Sequence, residues 1–173
     1  TRSVANHLND LAKEEPATVV TVLKDWAEQG RQTPKELAWM TRHALRTLIK
    51  DGDAGALELL GYRSDVPVKA SLDLGTQTLN IGEVMEVSAT LSCAQDLPVV
   101  VDYRLTFARP GGKTAEKVFK LKTAALKAGQ PVTWTKKHAL KGDATTFTLH
   151  PGAHRVVVQV NGVDVAQADF TLR

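Results

Sequence analysis

The stretch Ala54-Gly-Ala-Leu-Glu-Leu-Leu-Gly-Tyr-Arg-Ser-Asp-Val-Pro-Val-Lys-Ala-Ser-Leu-Asp-Leu74 decides how the chain is read. Up to Leu60 the apolar residues recur at helical spacing, and Gly61 supplies a stop. From Val66 onward they alternate with polar residues, the period of a strand with one buried face. Everything before this stretch reads as helix and everything after it as strand. The change of period predicts two units, residues 1–64 and 65–173, with the boundary inside Tyr62–Pro67.

Working back from the boundary, four helices are expected. Val4, Leu8 and Leu11 share one face of the first, which ends near Glu15-Pro16. Pro16 suits the first turn of the second, where its missing N–H costs nothing. That helix carries Val19, Val22, Leu23 and Trp26 on one side and stops at Gly30. Thr33, Pro34 and Glu36 form a capping box opening a third helix, whose apolar stripe is Leu37, Met40, Ala44, Leu45 and Leu48. A fourth runs from Asp53 to about Leu60. An offset of 37 residues pairs Leu8 with Leu45, Leu11 with Leu48, Val20 with Leu57 and Leu23 with Leu60. A helix-pair repeat of that length is the mark of an α-solenoid, whose units bury their apolar faces by stacking. A plain four-helix arrangement is the alternative.

Working forward, strands are expected at 68–74, 84–91, 99–107, 117–121, 132–136, 145–149, 154–160 and 164–170. Turn signals separate them: Asn80-Ile-Gly82, Pro110-Gly-Gly112, Gly142-Asp143, Pro151-Gly152 and the hairpin dipeptide Asn161-Gly162. Seven to nine short strands in this length predict an immunoglobulin-like antiparallel β-sandwich. The fold class expected is therefore a two-domain α + β protein, a short α-solenoid followed by that sandwich. The single Cys93 cannot form an internal disulfide and is expected as a buried thiol in a core held by packing alone.

Composition narrows the function classes. The 173 residues are 43% hydrophobic and 24% charged, which excludes disordered and fibrous classes. No apolar run approaches a membrane span, so no membrane association is expected. The chain opens on Thr1 inside a predicted helix, and is expected to be part of something longer. The net charge of +3 is too small to argue for a polyanionic partner, so its arrangement must decide.

One arrangement stands out. At 100° per residue, Arg42, His43, Arg46 and Lys50 fall within about 60° of Trp39, opposite the apolar stripe of the third helix. Such a face suits a polyanion: cations neutralise phosphates, and an indole packs on sugar or base. It also suits an ordinary solvated face whose Trp39 packs on a neighbour. The first helix, at the matching repeat position, presents Arg2, Asn6, Asn9, Asp10 and Lys13. A carboxylate beside Arg2 or Lys13 stays ionised, and an ionised Asp10 can stabilise a developing cation or orient a water. Other chemistries are not supported. There is no phosphate-binding glycine loop, no C-x-x-C and no H-E-x-x-H. Of the five histidines none are paired at helical metal spacing, and His150 and His154 read as structural. No cofactor and no metal are expected.

The motifs Arg2-Ser-Val-Ala-Asn-His-Leu-Asn-Asp10, Trp39-Met-Thr-Arg-His-Ala-Leu-Arg-Thr-Leu-Ile-Lys50 and Ala56-Leu-Glu-Leu-Leu-Gly61 resemble the C-terminal helical repeats of AlkC-type DNA glycosylases, in the AlkC/AlkD superfamily of HEAT-like repair enzymes. The second half is similar to the immunoglobulin-like domain of some AlkC members at Val101-Asp-Tyr103, Lys117-Val-Phe-Lys-Leu-Lys122 and around His154 and Val160-Asn-Gly162. The resemblance implies a DNA-repair hydrolase that cleaves the N-glycosidic bond of cationic N3- or N7-alkylated bases. Asp10 is then the catalytic carboxylate, with Asn6 and Asn9 beside it. Arg2, Asn6, Asn9, Trp39, Arg42, His43, Arg46 and Lys50 grip DNA, and a row of Lys117, Lys120 and Lys122 adds a second contact. It implies duplex DNA with alkylated bases as partner, a monomer, and a cytoplasmic setting. Complete members carry further repeats and further acidic and aromatic residues, so this chain alone is expected to excise bases poorly. The rival reading is a non-enzymatic adaptor, a solenoid stub and sandwich that bind another protein.

Overall fold

The computed structural model describes residues 2–142 and 148–173. The chain divides into two compact units, Thr1–Ser64 and Asp65–Arg173.

The first unit is helical: α1 (Arg2–Leu11), α2 (Pro16–Gln29), α3 (Pro34–Ala44), α4 (Arg46–Asp51) and α5 (Ala54–Leu59). α1 packs against α3, and α2 against α5, so the segments related by the sequence offset are neighbours. The core is Ala5, Leu8, Ala12, Val19, Val20, Leu23, Met40, Ala44, Leu45, Leu48 and Ala56. The capping box forms as expected: the Glu36 N–H donates to Thr33 Oγ1 and the Thr33 N–H to Glu36 Oε2. Three expectations are corrected. α1 ends at Leu11 and continues to Glu14 as turns, in which the Asp10 and Leu11 carbonyls accept from the Lys13, Glu14 and Glu15 N–H groups. Val4, assigned to the apolar face, is 43% exposed, and Ala5 takes the inward position. The third helix is two helices, broken at Leu45, whose backbone leaves the helical region at φ −92°, ψ 5°.

The second unit contains β1 (Val68–Asp73), β2 (Thr78–Leu79), β3 (Val84–Cys93), β4 (Leu97–Ala108), β5 (Thr114–Leu126), β6 (Val132–Ala139), β7 (Gly152–Val160) and β8 (Val163–Leu172). They form a three-stranded sheet, β1-β3-β6, and a five-stranded sheet, β2-β8-β7-β4-β5. All pairings are antiparallel except the short β2–β8 contact. One apolar core draws on both sheets. β3 contributes Met85, Val87, Ala89, Leu91 and Cys93; β4 contributes Val99, Val101, Tyr103, Leu105 and Phe107; β7 contributes Val156, Val158 and Val160. Each set is every second residue, so the alternation read in the sequence is the burial pattern itself.

β2 was not foreseen, since two residues carry no periodicity. β5 is longer than expected at both ends. Of the strand expected at 145–149, residues 145–147 lie outside the described residues, as does Asp143 of the expected Gly142-Asp143 turn. Thr148 and Leu149 are not in a strand, although Leu149 is in the core. Cys93 is buried, with Sγ 3.7 Å from the Pro67 carbonyl oxygen.

Two buried polar contacts tie this unit together. At the β7–β8 hairpin, Asn161 adopts φ +49° and Gly162 φ +81°, the left-handed pair that such a tight turn needs. Asn161 is 1% exposed; its Oδ1 accepts from the Val100 N–H at 2.9 Å and its Nδ2 donates to the Pro98 carbonyl at 3.0 Å. Between the sheets, the Tyr103 hydroxyl lies 2.7 Å from His138 Nδ1, with the Phe119 ring edge-on to the imidazole. Burial pushes the Tyr103 pKa up to about 12 and lowers that of His138, helped by the nearby Lys136 charge. Burial also lowers the pKa of His154.

Asn161→Ala strips the Val100 N–H of its partner and places a Cβ residue without a polar side chain at positive φ. The expected cost is about 2–4 kcal/mol by chemical denaturation, and an unchanged midpoint would contradict this role. The histidines make stability pH-dependent. Both bind protons more weakly folded than unfolded, so stability is full above the unfolded value and falls as pH drops below about 6.5. Melting midpoints measured between pH 7.5 and 5.5 should decline, and the decline should be smaller in His138→Gln. Parallel curves for parent and variant would remove His138 from the account.

Candidate nucleic-acid interface

α1 and α3 supply the first surface. Asn6 Oδ1 on α1 lies 2.9 Å from His43 Nε2 on α3. The His43 ring stacks on Trp39, with centroids 4.9 Å apart and planes 10° from parallel. Trp39 remains 45% exposed. Thus an amide holds an imidazole, and the imidazole supports an indole whose outer part is open to solvent. Next to them Arg46 Nη1 donates to the His43 carbonyl at 2.5 Å. Arg2, Arg42 and Lys50 are exposed. Arg42 and His43 occupy the last turn of α3 and Lys50 that of α4, where positive charge also complements the helix dipole.

Asp10 lies on the exposed side of α1, paired with Lys13 at 2.8 Å. The Lys13 hydrogen bond and charge, with smaller contributions from Arg46 and His7, hold its carboxyl below the usual carboxylate range. It is therefore ionised at neutral pH, as the sequence implied. His7 and Lys13 belong to its surroundings although only Lys13 was legible beforehand. Asn9 departs from expectation. It is 3% exposed, and its Oδ1 accepts from the Thr47 N–H and hydroxyl at 3.2 and 3.0 Å. Its side chain is spent inside the fold, so the expected direct DNA contact is withdrawn.

The second surface lies on β5 and β6, edge strands of the two sheets. Register sets Lys117 opposite Leu105, Lys120 opposite Asp102 and Lys122 opposite Val101, with Leu121 the extra residue of a bulge. Lys117 and Lys122 thus share the side of Phe119 and Lys120 takes the other, so the three do not form one row. Lys136 on β6 donates to the Lys120 carbonyl at 2.6 Å, bringing the two edges together. Residues 113–142 contain eight lysines against the single acid Glu116. By contrast Arg104 and Arg155, elsewhere on the larger sheet, are engaged by Asp164 and Asp169. Lys136 and Lys137 were missed because no helical stripe or motif flags them; the uneven lysine count was the available signal. Edge lysines also deter strand-to-strand aggregation.

Among the described residues, no group of three or more His, Cys, Asp or Glu gathers as a metal site. Among these residues, too, no helix is long and apolar enough to cross a membrane.

Fold and surfaces together define a helical segment joined to a strand-built unit, each presenting cations, with one ionised carboxylate among those of the helices. Residues 68–173 match the family described as the C-terminal Ig-like domain of the uncharacterised protein YhaZ. The chain is 32% identical over 170 residues to the uncharacterized protein YhaZ of Bacillus subtilis, covering 98% of this chain and 46% of that protein. It is 37% identical to the Pseudomonas fluorescens alkylpurine DNA glycosylase AlkC, whose structure is bound to DNA containing an abasic-site analogue. That match has a TM-score of 0.88 and covers 99% of this chain and 47% of AlkC. A Listeria innocua β-glucosidase matches 64% of this chain and 16% of its own at TM-score 0.52 and 20% identity, a likeness of fold alone. The chain belongs to the family of the YhaZ C-terminal Ig-like domain, which its second unit forms. It spans about half the length of the relatives it matches.

The Asp10 environment is directly testable. Lys13→Ala should move the Asp10 carboxyl titration, followed by NMR, upward toward the ordinary value. A titration that does not move would mean that Lys13 is not its main partner in solution.

Proposed function

We propose that this chain is the C-terminal part of a DNA-repair glycosylase that hydrolyses the N-glycosidic bond of cationic N3- or N7-alkylated bases. In this reading the helices are the last HEAT-like pairs of a longer solenoid and the strands an immunoglobulin-like sandwich. The enzyme acts as a soluble cytoplasmic monomer on duplex DNA. The observation that carries the proposal is the clustering of Asp10 and Asn6 from α1, Trp39 and His43 from α3 and Arg46 from α4, in a chain 37% identical to AlkC.

The chemistry fits the group provided. An alkylated base already bears positive charge and leaves with little acid assistance. The demand falls on the sugar, which becomes oxocarbenium-like, and an ionised carboxylate nearby stabilises it. Asp10 is that carboxylate. On the bare surface water screens it; a duplex lying over α1 and α3 displaces water and strengthens its field. Arg2, Arg42, Arg46 and Lys50 neutralise phosphates, Asn6 sets His43, and His43 braces Trp39 against the sugar or base. Lys117, Lys120 and Lys122, with Lys136 and Lys137, add a second contact with the backbone. The salt bridge to Lys13 keeps Asp10 charged until DNA arrives.

Asp10→Asn in the complete enzyme should lower excision far more than DNA affinity, and equal excision rates would sink the assignment. This chain alone should excise poorly. Arg42→Ala with Arg46→Ala should weaken binding to any duplex sequence and flatten the log K against log salt slope by ~0.9 per lost phosphate contact. Absent or salt-independent binding would favour a protein-binding adaptor instead.

A further inference from the structure

The break in the third helix has a visible cause. In an uninterrupted helix the Thr47 N–H would donate to the His43 carbonyl. Here it donates to Asn9 Oδ1 on α1, and the Thr47 hydroxyl donates to the same oxygen. The His43 carbonyl accepts from Arg46 instead. A side chain inserted into the ladder is one of the few recognised causes of a sharp helix kink. Leu45, at the break, is fully buried; its N–H stays bonded to the Thr41 carbonyl at 3.0 Å and its carbonyl accepts from the Ile49 N–H at 2.8 Å, so helical bonding holds on both sides of the break.

We infer that Asn9 is a positioning residue of the proposed DNA surface: by taking over the Thr47 N–H it leaves the His43 carbonyl to hold Arg46 folded back beside the Trp39–His43 stack, ready for a phosphate. The inference rests on the DNA reading of this face. A guanidinium has five N–H donors, so one bond to a carbonyl leaves donors for a phosphate. An arginine held in place before binding also loses less rotamer freedom when DNA arrives. Asn suits the position because a single oxygen accepts both Thr47 donors while the side chain stays out of water. A leucine of similar size would fill the space and leave the Thr47 N–H to rejoin the His43 carbonyl. The helix would straighten, and Arg46 would lose its anchor. Asn6, one turn earlier on α1, fixes the His43 ring itself. Two amides one turn apart therefore set both members of the cation–aromatic pair.

A double-mutant cycle tests this with the chain and a labelled duplex carrying an abasic-site analogue, followed by fluorescence anisotropy over a range of salt. Asn9→Leu and Arg46→Ala should each weaken binding by about tenfold and lower the salt slope by ~0.9. The double variant should bind no more weakly than Arg46→Ala alone, because Asn9 acts through Arg46. Additive losses overturn the inference and leave Asn9 a residue of the fold only. Wild-type affinity in Asn9→Leu, with Arg46→Ala weakened, overturns it while the DNA reading stands. Wild-type affinity in both Arg46→Ala and Arg42→Ala overturns the DNA reading and the inference together. If Asn9→Leu does not fold, Thr47→Val removes the hydroxyl partner of Asn9 with less disturbance. Its smaller loss should likewise vanish in the Arg46→Ala background, and persistence there overturns the inference.

Discussion

Helices of six to fourteen residues do not persist alone in water, and each of the five here survives by burying a face against a neighbour. The contact of α1 with α3 is the one on which the candidate surface depends. Its inner part is apolar, through Ala5, Leu8, Ala44 and Leu45, and its outer part is an amide pair, Asn6 and Asn9. Apolar packing alone tolerates sliding. Two amides one turn apart, meeting His43 on α3 and Thr47 on α4, do not, because a shift of one turn leaves the buried Asn9 oxygen and the Thr47 donors without partners. The register of the two helices, and with it the neighbours of Asp10, follows from that constraint.

The strand-built unit reaches the same end by other means. Its two sheets share one core, and their order is set by alternation of apolar residues with polar ones. Its specificity comes from a few buried polar groups. Asn161 clamps the hairpin to the start of β4, and Tyr103 meets His138 between the sheets. The edge strands carry the lysines because an edge has no neighbour to bury them. Strand alternation turns Lys120 away from Lys117, and the bulge at Leu121 brings Lys122 to the Lys117 side, so the cations surround the edge instead of lining it.

Legibility followed the range of the interaction. The helix and strand content, the capping box at Thr33, the Asn161-Gly162 hairpin and the buried Cys93 all depend on residues near one another or on simple periodicity, and were read directly. The α3 part of the stripe, Trp39, Arg42 and His43, was read as well, since one helix determines it, while Arg46 and Lys50 lie beyond the break on α4. What escaped depended on a partner distant in the chain. The break at Leu45 is made by Asn9, 36 residues earlier, and no local signal foretells it. Asn9 itself looked like a surface residue because a polar side chain on a helix gives no sign that its acceptor is needed elsewhere. The expected lysine row fails first by simple alternation, since Lys117 and Lys120 are three apart, and then by a bulge that moves Lys122 to the Lys117 side, a feature of pairing and not of composition. Val4 and Ala5 exchanged places because a one-position rotation of a short helix satisfies the same spacing.

The stacked pair on α3 has an optical consequence. Of the three tryptophans, Trp26 and Trp134 are partly buried against the cores of their own units, while Trp39 stands open on the candidate surface. Its indole lies face to face with an imidazole. Intrinsic fluorescence therefore contains one solvent-sensitive component that reports the covering of Trp39. The molecule carries its own indicator of whether this face is occupied, without an added label.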